Sequence, residues 1–310
     1  MESKEIIQKL ISNIEKVIVG KEWPVKLCIA ALISKGHVLI EDVPGLGKTM
    51  LARSIAKSIN AEFRRLQFTP DILPSDITGV SVYNQKTQEF EPRIGPIFAN
   101  IILADEINRT TPRTQSGLLE CMQESRVTID GQSYDLPQPF FVMATQNPIE
   151  FHGTYPLPEA QLDRFLMQID MGYPQEKDEI LILNRQLKEH PIEKISSVSN
   201  LEEILLLQEK ATAVHLSADM VKFITTIVRA TRSHPEVLLG ASPRGSLALM
   251  QTSRALALIE GRDFVMPDDI KKMSQYTLSH RIVLKTEAQV EGRTKKQVIE
   301  EVLRSVVVPL

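Results

Sequence analysis

The chain has 310 residues, of which 43% are hydrophobic and 24% charged, and a net charge of −3. These proportions are those of an ordinary globular protein with room for two domains, and the slight acidity gives no overall attraction for nucleic acid or an anionic membrane. Two cysteines argue against a disulfide framework or a cysteine-based metal site. No apolar run approaches the roughly 18 residues of a membrane span, so we expect a cytoplasmic protein without membrane insertion.

The first 68 residues are predicted to contain helices and strands. Apolar residues at helical spacing predict helices over residues 5–17 and about 25–33. A short apolar strand at 37–40 follows, then a glycine-containing loop and a helix to about Ile59. Alternating apolar and polar residues at 63–68 predict a second strand.

The loop after the first predicted strand ends in Gly-Lys-Thr. Such a loop wraps backbone N–H groups around a phosphate chain, while Lys48 reaches the outer phosphates and the Thr49 hydroxyl can ligate Mg²⁺. Asp42 stands where the pattern G-x-x-x-x-G-K-[ST] has its first glycine. We expect Gly45 and Gly47 to supply the backbone freedom instead. Taken alone, the stretch favours a phosphate site without deciding it.

Residues 69–100 show no helical period and are interrupted by prolines and glycines. Two β-favouring runs within them, at 80–83 and 89–90, predict a small hairpin. The segment is either a surface insertion without chemistry or a functional loop, and long loops inside compact domains are more often functional.

Two continuous apolar runs, at 97–104 and 140–145, predict strands that are buried on both faces. Between them we expect a helix at 114–124 and a hairpin over 126–136 that turns at Asp130-Gly131. This alternation of strands and helices predicts a parallel α/β sheet with helices on both faces.

The remainder of the chain shows helical signals only. We therefore predict two domains, an α/β core over residues 1–172 and a helical domain over 173–310. The helices predicted for the second domain cover residues 176–189, 201–211, 218–233, 242–260 and 267–280.

Polar side chains follow two of the predicted buried strands. Asp105 and Glu106 close one strand, and the carboxyl ends of such strands are where ligands bind. Phosphate-loop hydrolases need one carboxylate there for Mg²⁺ and a second to polarise the attacking water; the alternative is that the two acids only cap the next helix. Asn147 closes the other strand, where its amide either orients water or serves the turn before Pro148.

Two arginines are candidates for stabilising negative charge on a transferred phosphate. Arg164 follows a loop rich in proline and glycine, and Arg244 lies at the start of a helix in the second domain. A guanidinium can act on the phosphate from its own or from another subunit. Each arginine taken singly is better explained as a surface salt-bridge partner.

Taken together, five stretches in this order resemble the MoxR family of AAA+ ATPases. They are DVPGLGKT at 42–49, ILADEINR at 102–109, ATQNP at 144–148, GTYPLPEAQLDRF at 153–165 and GASPRG at 240–245. The fourth is long and specific to the family, and the resemblance covers nearly the whole chain.

The resemblance implies an AAA+ P-loop NTPase core of the α/β class, with a helix-2 insertion at 70–98, a pre-sensor hairpin at 126–136 and an all-α lid domain. It implies ATP and Mg²⁺ as cofactors, with Thr49 and Asp105 holding the metal. It further implies that Glu106 is the catalytic base, Asn147 sensor 1, Arg164 the arginine finger and Arg244 sensor 2. The implied nucleotide contacts are Val19, Gly20, Pro44, Gly45, Leu46, Gly47, Lys48, Thr49 and Met50.

The resemblance also implies a ring, usually of six subunits, with ATP at the interfaces. MoxR-like proteins are similar to chaperones that mature or activate client proteins, often with a partner that bears a von Willebrand factor A domain, and metal-cofactor insertion is one recurring role. Our leading hypothesis is thus an ATP-driven motor that acts on protein. A nucleic-acid motor or loader is the main alternative, although Asp130 and Asp135 beside Arg126 argue against a phosphate-gripping hairpin. A third hypothesis is a small-molecule kinase that uses the same phosphate loop, but the sequence shows no evident pocket for a phosphate acceptor.

Overall fold

The computed structural model describes residues 2–147, 153–187 and 190–309. Its first half alternates helices with strands. In chain order these are α1 (Glu2–Glu15), α2 (Glu22–Ile33), β1 (Val38–Glu41), α3 (Lys48–Ser58), β2 (Phe63–Gln67), α4 (Pro74–Thr78), β3 (Gly79–Asn84), β4 (Glu89–Ile94), β5 (Ile101–Asp105), α5 (Pro112–Glu124), β6 (Arg126–Ile129), β7 (Gln132–Asp135), β8 (Phe141–Gln146), α6 (Glu159–Leu162) and β9 (Met167–Ile169).

Five of these strands form one parallel sheet in the order β2-β5-β8-β1-β9. Side chains of one strand alternate between the two faces of such a sheet. Val38 and Ile40 accordingly pack in a cluster with α1, α2 and α3, whereas Leu39 packs in a second cluster with α5 and β6. Burial on both faces accounts for the continuous apolar runs of the central strands, and the predicted α/β core is confirmed.

Both predicted hairpins are present. Strands β3 and β4 pair antiparallel, as do β6 and β7. The second hairpin turns at Asp130 and Gly131, whose φ angles are 48° and 82°, and two successive left-handed residues are what the type I′ hairpin turn requires.

Two details of the insertion differ from the prediction. Residues 74–78 form the short helix α4, although no helix was expected between 69 and 100. The strand expected from residue 97 begins only at Ile101. The reason is that the Ile97 N–H donates to the Ile77 carbonyl at 3.2 Å, so the chain at residue 97 is still bonded to the insertion rather than to a neighbouring strand of the sheet.

The second half is mainly helical, and all five predicted helices are present. Its elements are α7 (Glu176–Gln186), α8 (Pro191–Lys194), α9 (Leu201–Ala213), α10 (Ala218–Ser233), β10 (Val237–Leu239), α11 (Pro243–Ile259), α12 (Pro267–Leu278), β11 (Val283–Leu284), α13 (Thr286–Val290) and α14 (Lys295–Ser305). The end predicted for the first helix, at residue 189, lies outside the described residues.

The prediction of an all-α second domain needs one correction. Strands β10 and β11 pair antiparallel within it. They are three and two residues long, too short for alternation to register as a strand pattern. Helices α8, α13 and α14 had no counterpart in the sequence prediction.

The two halves pack together through helices of both halves and through the edge strand β9, which packs against α12. Residues of α1 and α2 share one hydrophobic cluster with residues of α9 and α11, and the Gln208 side chain donates to the Leu32 carbonyl at 2.8 Å. The predicted boundary near residue 172 stays a prediction. Within the described residues, no helix combines the length and the apolar character needed to cross a membrane.

Candidate functional site

A cleft of about 240 Å³ opens at one edge of the sheet, where the carboxyl ends of β1, β5 and β8 meet. This is the edge at which open α/β sheets bind ligands. It is lined by Pro44, Gly45, Gly47, Lys48, Thr49, Met50, Arg65, Asp105, Glu106, Thr145 and Asn147. All of these except Arg65 and Thr145 were singled out from the sequence.

The loop between β1 and α3 has a conformation that demands glycine. Gly45 and Gly47 have φ angles of 87° and 83°, and no atom lies within 4 Å of a Cβ built at either position. It is therefore the left-handed backbone, and not lack of space, that disfavours a side chain there. Gly47 is the N-cap of α3, so the first turn of that helix faces the cleft. Asp42 keeps a negative φ, which explains why the first glycine of the pattern is dispensable.

Lys48 lies at the start of α3 and reaches back over the loop. Its Nζ donates to the Asp42 carbonyl at 2.6 Å. Burial lowers the pKa of Lys48, and the nearby carboxylates of Asp42, Asp105 and Glu106 act in the opposite direction. The ammonium is thus held between the loop and the acidic strand end.

Thr145 of β8 links the two acids at the end of β5. Its Oγ1 donates to Asp105 Oδ1 at 2.6 Å and accepts the Glu106 backbone N–H at 2.9 Å. Glu106 has a left-handed backbone, with φ 58° and ψ 50°. A glutamate in this region is strained and persists only where its surroundings hold it. The hydroxyl of one buried threonine therefore fixes how both carboxylates are presented.

The outer oxygens of the two acids are bound by side chains from β2 and from the turn after β5. Arg65 Nη2 lies 2.6 Å from Asp105 Oδ2. Glu106 Oε2 accepts from Gln67 Nε2 at 2.7 Å and lies 3.2 Å from Arg109 Nε.

The sequence interpretation missed Thr145, Arg65, Gln67 and Arg109. A signal for two of them was present, since Arg65 and Gln67 alternate along the predicted strand at 63–68 and point the same way. Knowing that this strand neighbours β5 would have placed them beside the acids.

Asn147 follows β8, which lies between β5 and β1 in the sheet. It is buried, lines the cleft, and its carbonyl accepts from Asn108 Nδ2 at 3.4 Å. The structure thus brings Lys48, the two acids and Asn147 to one place, as the order of the motifs predicted.

Five other predicted site residues do not line this cleft: Val19, Gly20, Leu46, Arg164 and Arg244. Val19 is buried beside the α1–α2 turn, and the Asp178 carboxylate lies so close over Gly20 that a Cβ there would meet it at 2.2 Å. Leu46 packs against the main hydrophobic cluster.

Arg164 and Arg244 both lie next to an interaction between the core and the second domain. The buried Arg281, in the turn after α12, bonds Asp163 Oδ1 through Nε at 2.7 Å and the Phe165 carbonyl through Nη2 at 2.6 Å. Burial lowers the pKa of Arg281 to about 10, which the Asp163 carboxylate opposes. The other oxygen of Asp163 accepts from Ser242 Oγ at 3.1 Å, and that Oγ also caps the Arg244 N–H. Nothing in the sequence around Arg281 indicated that it would be buried or would bind Asp163.

Comparison with known proteins agrees with this architecture. Residues 37–167 match the family described as ATPase family associated with various cellular activities (AAA), and residues 229–302 match the AAA lid domain. The protein Chaperone MoxR1 of Mycobacterium tuberculosis is 41% identical over 98% of this chain and 82% of its own length. The chain belongs to the MoxR family of AAA+ ATPases.

Two further similarities extend over the full length of this MoxR-family chain. YeaC of Bacillus subtilis, an uncharacterised protein, is 53% identical over 98% of this chain and 95% of its own. The crystal structure of a provisionally named ATPase from Cytophaga hutchinsonii superimposes with a TM-score of 0.93 at 39% identity, covering 100% of this chain and 96% of that one. The predicted family and fold are confirmed, and membership of the family supports nucleotide binding and ATPase activity.

Replacing Thr145 by the isosteric valine tests whether its hydroxyl presents the two acids. Thr145→Val removes the donor to Asp105 and the acceptor for the Glu106 N–H. We expect steady-state ATP turnover to fall by about tenfold to a hundredfold, because small misplacements of catalytic groups cost that much, and the free energy of unfolding to fall by about 1–3 kcal/mol. Thr145→Ser keeps the hydroxyl and should restore most of the turnover. Parental turnover in Thr145→Val would show that the strained Glu106 backbone is held by other means.

Proposed function

We propose that this MoxR-family protein hydrolyses ATP with Mg²⁺ in a ring, of six subunits by the family resemblance, and uses the cycle to remodel, mature or activate client proteins. The observation that carries the proposal is the convergence of Lys48, Thr49, Asp105, Glu106 and Asn147 on one cleft at the sheet edge. A phosphate-binding loop, a metal ligand pair and a base are the parts that phosphoryl transfer to water needs.

The residues of the cleft divide the work as follows. The N–H groups at the start of α3 and the Lys48 ammonium bind the phosphates. Glu106 accepts the proton of the attacking water, and Asn147 orients that water. The Thr49 hydroxyl and the Asp105 carboxylate are hard oxygen donors of the kind Mg²⁺ prefers, so this donor set fits the metal. When bound, Mg²⁺ neutralises charge that develops on the phosphate oxygens.

The remaining predicted residues act at the edges of the nucleotide. Val19 and Gly20 contact the adenine end, beside the start of α7. Arg164 lies outside the cleft of its own chain, which supports a role on the ATP of a neighbouring subunit. Arg244, on the first turn of α11, is the sensor from the second domain. The ring interface completes the site.

The client side of the proposal rests on the family. The Mycobacterium tuberculosis relative is named a chaperone, which supports a protein client. A co-factor protein with a von Willebrand factor A domain and a role in metal-cofactor insertion follow from the family resemblance. A cytoplasmic location follows instead from the low cysteine content, which is typical of a reducing compartment.

A nucleic-acid motor is disfavoured by the charges of the β6–β7 hairpin. Arg126 Nε lies 2.6 Å from Asp135 Oδ1, so the hairpin's one basic side chain already has an anionic partner. Phosphate contacts of nucleic-acid motors depend on cations that are available to the backbone.

The ring hypothesis is tested by mixing two inactive variants. Arg164→Ala and Glu106→Gln should each lose turnover, and mixing them should restore part of it, because interfaces form that combine an intact Arg164 with an intact Glu106. Chelating Mg²⁺ with EDTA should abolish turnover in the parent protein, with recovery on adding Mg²⁺ back.

Three results would count against this proposal. A fully active monomer in light scattering would refute the ring, and turnover that persists in EDTA would refute the metal. DNA-stimulated turnover that weakens with salt would favour the nucleic-acid alternative. A pull-down with Glu106→Gln, which should hold ATP without turning it over, then identifies the client.

A further inference from the structure

Asp42, the residue that replaces the first glycine of the phosphate-loop pattern, is bonded far along the chain. Its Oδ2 accepts the backbone N–H groups of Met171 and Gly172, both at 2.7 Å and about 130 residues away in sequence. Its Oδ1 accepts the N–H of Val43 at 2.9 Å. Glycine at this position could make none of these bonds, and hydrogen bonds to a carboxylate are among the stronger ones in proteins.

The segment that Asp42 holds is the connection between the two domains. Residues 171–173 lie between β9, which ends at Ile169, and α7, which begins at Glu176. The segment is held from its other side by Lys21, whose Nζ donates to the Gly172 carbonyl at 2.9 Å and the Tyr173 carbonyl at 2.8 Å. The connection is therefore clamped between the phosphate loop and the start of α2.

The same residue also contacts the phosphate-binding lysine. The backbone carbonyl of Asp42 accepts from Lys48 Nζ at 2.6 Å. A phosphate oxygen is a stronger acceptor for an ammonium than a carbonyl is, so engagement of phosphate by Lys48 competes with this bond. Any movement of residue 42 that follows is passed to residues 171 and 172, because their N–H groups are bonded to its carboxylate.

We infer that Asp42 is a positioning residue that couples phosphate binding by Lys48 to the orientation of the second domain through residues 171–173. The inference rests on the proposed ATPase function. The coupling explains why aspartate stands at the first glycine position of the pattern. A loop with glycine there would bind phosphate but would make no hydrogen bond to the interdomain connection.

The chain carries its own reporter of that orientation. Trp23 is the only tryptophan, it lies on α2 two residues after Lys21, and its ring centroid is 6.1 Å from that of Tyr276 on α12 of the second domain. A change in how the domains meet should therefore change the tryptophan emission.

The test compares three variants with the parent protein. Asp42→Gly removes the carboxylate but restores the residue that the loop pattern contains. Asp42→Asn keeps one acceptor oxygen for the same N–H groups. Lys21→Met releases the opposite side of the connection without touching the loop. For each protein with Glu106 intact we would measure kcat and KM for ATP and the ATP-induced change in Trp23 emission. ATP affinity would be measured by calorimetry after adding Glu106→Gln to each protein, so that ATP is bound without being hydrolysed.

We expect Asp42→Gly to bind ATP with an affinity near that of the parent and to lose the ATP-induced change in Trp23 emission. Its kcat should fall about tenfold or more, because the two hydrogen bonds from Met171 and Gly172 to a charged group are lost. Lys21→Met should show the same separation of kcat from affinity, and Asp42→Asn should recover part of both readouts. Circular dichroism and the melting temperature confirm folding, and Lys21→Met carries the test if Asp42→Gly does not fold.

Three results would overturn the inference. One is a parental kcat and Trp23 response in both Asp42→Gly and Lys21→Met. Another is a parent protein whose Trp23 emission does not respond to ATP. The third is an equal loss of affinity and turnover in Asp42→Gly with a normal Lys21→Met, which would make Asp42 a part of the loop alone. A parent protein that neither binds nor hydrolyses ATP would instead refute the proposed function.

Discussion

Glu106→Gln is expected to reduce ATP turnover by at least about a hundredfold, within the range of 10²–10⁴ that general-base catalysis contributes, while ATP binding persists. Glutamine matches glutamate in size and keeps a carbonyl oxygen for Arg109, which lies 3.2 Å from Glu106 in the parent. Its amide cannot accept the proton of the attacking water. Steady-state turnover and calorimetric ATP affinity, measured on the same preparation, separate the two effects.

A matched control makes the same chemical change outside the cleft. Glu62 lies just before β2, is half exposed and pairs with Arg64 at 2.8 Å. Glu62→Gln should leave both turnover and affinity at the parental values. If Glu106→Gln hydrolyses ATP at the parental rate, another group is the base, and the left-handed Glu106 backbone has a structural role only.

The part of this site that could be predicted from the sequence consists of residues whose position follows from chain order. Lys48 and Thr49 come directly after a strand and a glycine loop, and Asp105 and Asn147 each close an apolar strand. Because all these strands are parallel, their carboxyl ends fall at one edge whatever their order. Local pattern and topology rules therefore sufficed to bring these residues together.

The part that could not be predicted consists of contacts between residues distant in sequence. Thr145 touches the acids only because β8 lies beside β5, and strand order leaves no mark on local periodicity. Asp42 appeared as a departure from a pattern, and its partners at 171 and 172 are backbone N–H groups, which every residue but proline possesses. Arg281 reaches a carboxylate 118 residues away.

Arg281→Met should lower the free energy of unfolding by about 3–5 kcal/mol, the cost of leaving a buried ion-pair partner alone. The Arg281 side chain is 2% exposed and Asp163 is 22% exposed, with 2.7 Å between Nε and Oδ1. The guanidinium also serves the Phe165 and Leu166 carbonyls, at 2.6 and 3.1 Å. Methionine fills much of the volume but donates to none of these oxygens. Urea unfolding followed by circular dichroism gives the difference.

An exposed arginine provides the comparison. Arg64→Met breaks a pair of similar length, 2.8 Å, whose two side chains are 58% and 51% exposed, and such surface pairs contribute only about 0–1 kcal/mol. Arg281→Lys keeps the charge without the planar fork and should fall between the two. Equal stability losses in Arg281→Met and Arg64→Met would mean that the buried guanidinium contributes no more than a surface charge. A large loss confined to Arg281→Met would show that Asp163, which precedes Arg164 and also binds the cap of the Arg244 helix, is held in place from the second domain. Arg164 and Arg244 would then both depend on the buried guanidinium of Arg281 for their position.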